Sequence, residues 1–243
     1  MVNPDVLFPM IYEFSIYAGC LLMVIIIGQR YRERKKPVIK YMFYFSFFMS
    51  LAILLAAFSR VLRYTELWII QIYPEVKLEF LAFTICFIAI GNIFMLAFCL
   101  EVFTKKGVKS TVGIAFLTVY SVLIAGFCVY SIWTGLFVVD LTEMIWGIAI
   151  VLSLFVYGWT MVAALALAFK LEKGPDRVGT LFISISPISI MMVFVMFFLD
   201  RMFGGNFTVF YYIGWVFVII SMFFMYLGVI RPKWVFKERK IEN

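Results

Sequence analysis

Histidine is absent from all 243 residues. That removes the ligands of His-bound haem, of His-box di-iron centres and of the His-held zinc of membrane hydrolases. Charge is scarce too, at 14% of residues against roughly 25% in soluble domains. The four cysteines, Cys20, Cys86, Cys99 and Cys128, form no CxxC pair and lie within apolar runs, which suits small buried hydrophobes. There is no P-loop, no aspartate-rich prenyl-diphosphate motif and no Ser, Cys or carboxylate constellation suited to catalysis. Every lysine falls in a loop or at the end of an apolar run, so a retinal Schiff base has no anchor. The expectation is a protein that is not an enzyme, with no cofactor and no metal site.

What the chain has is apolar length. Hydrophobic residues make up 65% of it, and its mean hydropathy is +1.05. Seven apolar runs, near 8–27, 41–62, 80–103, 112–139, 141–169, 178–199 and 208–230, each approach or exceed the roughly 20 residues that cross a bilayer as a helix. The expected fold is all-α, a polytopic integral membrane protein whose single domain is a seven-transmembrane helix bundle. The opening MVNPDVLF has no basic n-region, so the first run reads as a retained span. Between the second and third runs, LWIIQIY is too short to span and is expected to lie as an interfacial helix. No internal repeat of the kind that marks many transporters is evident.

Orientation follows from QRYRERKKPVIK, residues 29–40, a basic loop between the first two runs. Lys and Arg concentrate in cytoplasmic loops. Of the 21 Lys and Arg residues, only Arg60, Arg63, Lys77 and Arg201 fall on the opposite side. The N-terminus is therefore expected outside and the basic tail, 231–243, in the cytoplasm, with the protein multi-pass in the plasma membrane. The net charge of +7 reflects this bias rather than a nucleic-acid partner. Aromatic belts agree: Tyr12, Tyr64, Trp68, Trp133, Trp146, Tyr211 and Tyr212 cluster at outer ends, and Tyr31, Tyr41 and Trp234 at inner ends.

Inside the runs, hydroxyls such as Ser46, Ser50, Ser153, Ser184, Ser186, Ser189 and Ser221 are expected to bond back to the preceding turn or across helices. Asn92 seeks a partner, as packing glue or as a ligand contact. Pro187, in the run SISPIS, is a candidate hinge, since it removes a backbone hydrogen bond whose carbonyl a nearby serine can satisfy. Ala164 and Ala168 have the small-xxx-small spacing of a close helix contact or a dimer face. Asp140 and Glu143 have capping-box spacing, and Glu101 with Lys105 has that of a helix-end ion pair. The sequon Asn206-Phe-Thr208 carries little weight so near the membrane.

Charges at the outer end are the sharper signal. Glu13 lies one to two turns into the first run, Arg60 and Arg63 end the second, and Asp200-Arg201 closes the sixth. Ionisable groups at membrane depth are costly and face the bundle interior or a wet cavity. With Tyr17, Trp146, Tyr211 and Tyr212 they are expected to line a pocket of mixed charge for a small zwitterionic or polar amphiphilic ligand. The alternative is a static clasp in which Glu13 pairs with a snorkelling arginine.

The stretch GNIFMLAFCLEVFTKKG, the seven-run layout and the RPKW exit together resemble the seven-transmembrane sensor regions that precede prokaryotic histidine kinases. The resemblance implies sensing at the outer end and output through a cytoplasmic domain. No kinase sequence is present, so output is expected through a separate cytoplasmic or membrane partner. The functional expectation is a receptor or sensor, with a small-solute facilitator and a non-catalytic accessory subunit as alternatives. Its partners are the lipid bilayer, a small-molecule ligand, a signalling protein and a second copy of the chain.

Overall fold

The computed structural model describes residues 7–64, 71–73, 76–77, 80–104, 107–137, 142–203 and 207–232. Seven helices make up almost all of them: α1 (Leu7–Arg34), α2 (Pro37–Tyr64), α3 (Phe80–Phe103), α4 (Thr111–Phe137), α5 (Thr142–Lys170), α6 (Pro175–Met202) and α7 (Val209–Ile230). All seven are long and apolar enough to cross a membrane. At 1.5 Å per residue a 28-residue helix such as α1 reaches about 42 Å, more than the roughly 30 Å hydrocarbon core. Helix satisfies each backbone polar group within its own segment, which lipid demands.

The chain stops its helices with local devices. Lys35 takes a left-handed φ of 50° and its amide bonds the Tyr31 carbonyl at 2.8 Å, which ends α1. Pro37 then opens α2, its missing amide harmless in a first turn. Residues 29–40 are therefore no loop: helix runs through Arg34 and resumes at Pro37, leaving a two-residue link. Arginine is a good helix former and its long stem carries charge to water, so a basic composition does not break the helix. Gly107, at φ 59°, turns the chain between α3 and α4, and Ser110 Oγ accepts the Gly113 amide at 2.9 Å to cap α4. Arg231, at φ 51°, closes α7.

Between α2 and α3 the expected interfacial helix is not found where the segment is described. Gln71–Tyr73 (β1) pairs antiparallel with Val76–Lys77 (β2) in a small two-stranded sheet. Its Ile and Tyr are β-formers. Residues 67–70 lie outside the described residues.

Contacts between neighbouring helices close a ring in the order α1, α2, α3, α5, α6, α7 and back to α1. α4 sits outside it, packed chiefly on α3. In the apolar window of α3, 67% of residues are buried, against 22% in α4. α6 and α7 make the closest pair: a Cβ added at Gly228 meets the Gly179 carbonyl oxygen at 2.7 Å and the Ile183 amide at 2.9 Å. Ala164 and Ala168 are fully buried, so their small-xxx-small stripe packs inside the bundle and is no open dimer face.

Candidate functional site at the Glu13 end

The bundle has two unlike ends. At the end where α1 begins, Glu13 is fully buried. Its Oε1 accepts a hydrogen bond from the Tyr211 hydroxyl of α7. This bond crosses the α1–α7 seam that closes the ring. A carboxyl group at this depth is costly unless bonded, and the phenol supplies that bond.

Aromatic rings surround the pair. Tyr211 stacks on Phe197 and meets Phe207, Tyr212 and Trp215 edge-on, with centroids 5.0–6.2 Å away. Tyr212 takes Phe8 and Tyr12 edge-on at 5.3 and 5.0 Å, and the Tyr12 hydroxyl donates to its backbone carbonyl at 2.8 Å. Tyr211 was expected in an interfacial belt. It is instead buried at 6% exposure, because its hydroxyl follows the carboxyl inward. Tyr212 is half-buried, and Tyr17, one turn beyond Glu13, packs half-buried against the core.

Asp200 does different work from that expected of a pocket residue. Its Oδ1 accepts from the Thr208 amide at 2.7 Å and the Thr208 hydroxyl at 2.6 Å. It thus holds the N-cap residue of α7 and sets the angle at which Tyr211 enters the bundle. The side chains of Arg60, Arg63, Trp146 and Arg201 lie outside the described residues, as do Asp140, Lys105 and Asn206 and the Glu143 side chain.

Trp215 was not singled out from sequence. Its ring packs on Phe197 and Tyr211, and its indole N–H is buried with no hydrogen-bond partner among the described residues. A tryptophan near the start of a span reads as belt or core. Only three-dimensional placement exposes the unused donor.

The middle of the bundle is polar but self-satisfied. Asn92 Nδ2 donates to Ser153 Oγ at 2.8 Å, and the Tyr157 hydroxyl donates to Asn92 Oδ1 at 2.6 Å. Asn92 is therefore a bond between α3 and α5. Ser186 and Ser221 share a hydrogen bond at 2.9 Å between α6 and α7. α6 runs unbroken through Pro187, whose missing amide frees the Ile183 carbonyl. The flanking serines bond elsewhere, Ser184 to Leu181 and Ser189 to Ile185. Ser46 and Ser50, one turn apart on α2, are buried hydroxyls without partners among the described residues.

At the opposite, basic end the charges are on the surface. Asp176, in the first turn of α6, pairs with Arg231 at the end of α7, both well exposed. Arg34 donates to the Ile230 carbonyl at 3.2 Å, a cation at a helix C-terminus. Glu101 Oε2 accepts the Val108 amide at 3.1 Å and so braces the α3–α4 turn.

No family model matches the chain, and neither a curated protein nor a solved structure matches it.

Proposed function

We propose that the protein is a plasma-membrane receptor or sensor that binds a small zwitterionic or polar amphiphilic ligand at the Glu13 end. The N-terminus lies outside and the C-terminus in the cytoplasm, in line with the one-sided distribution of lysine and arginine. The observation that carries the reading is the Trp215 indole, a buried donor without a partner among the described residues, one turn along α7 from the tyrosine that holds Glu13. A buried unsatisfied donor costs about 1–3 kcal/mol, so it needs a reason. A ligand acceptor would fill it, and a ligand cation would find the Glu13 carboxylate across the same aromatic layer.

Occupancy would compete with the Tyr211 hydroxyl for Glu13 and loosen the α1–α7 seam. α7 carries that change to α6 through the Ser186–Ser221 bond and the close approach at Gly228. α6 has its candidate hinge at Pro187. The exposed Asp176–Arg231 pair at the far end of both helices is weak enough to yield, and a separate cytoplasmic or membrane protein would read its state. Ser46 and Ser50 favour a second reading, a facilitator whose path passes through the bundle.

Thermal unfolding in detergent, against a panel of amino acids, betaines and lysophospholipids, tests the proposal. A ligand at a hundredfold excess over its Kd stabilises the parent by about 2.7 kcal/mol. That shift is expected in the parent and lost in Glu13→Gln and Trp215→Phe. Trp215→Phe removes the donor together with part of a ring packed on Phe197 and Tyr211, so the ligand shift in each variant is read against that variant's own ligand-free midpoint. A panel with no effect on the parent, or an equal shift in Trp215→Phe, contradicts the reading. Flux of the same compound into liposomes would transfer the site to the facilitator.

A further inference from the structure

Two of the four cysteines face each other across the α3–α4 pair. Cys86 Sγ lies 3.7 Å from the Cys128 carbonyl oxygen, and Cys128 Sγ lies 3.9 Å from the Cys86 carbonyl oxygen. The contacts are reciprocal. Two side chains that each reach the other's backbone carbonyl lie side by side, the proximity a disulfide requires. Cys99, on the same helix as Cys86, is thirteen residues away, about 20 Å along the axis, and Cys20 is buried on α1.

The surroundings give the pair a division of labour. Cys86 is buried at 5% exposure, whereas Cys128 is half-exposed beside the outward-facing Val129 on the least enclosed helix. An oxidant dissolved in lipid reaches Cys128 first. Phe116 and Tyr120 tie the first half of α4 to α5, through ring contacts with Phe155 and Trp159 and the Tyr120 bond to the Leu152 carbonyl. The half that carries Cys128 reaches α3 through the Cys86 contact.

We propose that Cys86 and Cys128 form a thiol pair that an organic hydroperoxide converts to a disulfide, stapling the outer half of α4 to α3. Cys128 sulfur attacks the peroxide; its S–H becomes S–OH and the hydroperoxide leaves as the alcohol. Cys86 then displaces water from the sulfenic acid, forming the S–S bond. The two thiols lose two electrons and two protons, which the hydroperoxide takes up as one alcohol and one water.

The test uses the full chain in liposomes treated with cumene hydroperoxide, then alkylation and mass spectrometry of proteolytic peptides. The expected product is the Cys86 peptide linked to the Cys128 peptide with two hydrogens lost, reversed by dithiothreitol, while Cys20 and Cys99 remain alkylated. In Cys86→Ala, dimedone is expected to trap a sulfenic acid at Cys128, since the resolving thiol is gone. Alkylation of both cysteines in the treated parent, or sulfinic and sulfonic acids at Cys128 with no linked peptide, overturns the proposal.

Discussion

The two ends of the bundle handle charge in opposite ways. At the Glu13 end two carboxyl groups are buried, Glu13 bonded by the Tyr211 phenol inside a layer of rings and Asp200 by the Thr208 amide and hydroxyl. At the basic end, Asp176 and Arg231 meet in the open, and cohesion comes from two backbones in contact at Gly179 and Gly228. Where charge is buried, its hydrogen bonds carry stability and, on the proposed reading, function. Where it is exposed, removing an ion pair changes little and adding one methyl group changes much.

Gly228→Val is the largest test of that contrast. The added Cβ alone falls within 3 Å of backbone atoms of α6, so the helices must separate. The expected loss is about 3 kcal/mol or more, read as a lower thermal midpoint in detergent. A small loss would mean that α6 and α7 slide apart freely, and that the seam is no brace.

Tyr211→Phe comes next. It deletes one oxygen and leaves Glu13 Oε1 without that donor, for an expected loss of about 2 kcal/mol. Loss of less than half that figure would place Glu13 in a wetter setting than its burial implies. In the middle layer, Tyr157→Phe removes the bond to Asn92 Oδ1 and should cost about 1 kcal/mol, in the range of interhelical bonds in membranes.

Asp176→Asn is the smallest. Its partner and itself are exposed, so the expected change is below about 0.5 kcal/mol and fades with added salt. A loss that matches Tyr211→Phe would erase the difference between the ends.

The helices and the burial of Glu13 were legible in the sequence, for simple reasons. A span of apolar residues has few alternatives to helix in lipid, and a lone carboxyl inside one stands out against that background. The helix ends were less legible. Arg30, Arg32 and Arg34 looked like loop because charge usually leaves the membrane, yet they extend α1 as ordinary helix formers. Tyr211 reads from sequence as a belt residue because a tyrosine at a span end more often is one, and the bonds of Asp200 to Thr208 were not legible because a cap is settled by φ, ψ and the neighbouring amide. Trp215 could not have been found, since an unpartnered indole is a statement about everything around it. Asn92 left two readings open until Ser153 and Tyr157, about sixty residues away in sequence, were brought beside it.

Which end faces out decides whether the Glu13 layer can receive an external ligand at all. In a background with all four cysteines replaced by alanine, single cysteines at Phe203, exposed where α6 ends, and at Glu172, exposed at the basic end, would be offered to a membrane-impermeant maleimide on intact cells. The account predicts that Phe203→Cys labels at once and Glu172→Cys only after the cells are permeabilised. The reverse pattern would put Glu13 and Tyr211 at the cytoplasmic side and contradict a receptor of this kind.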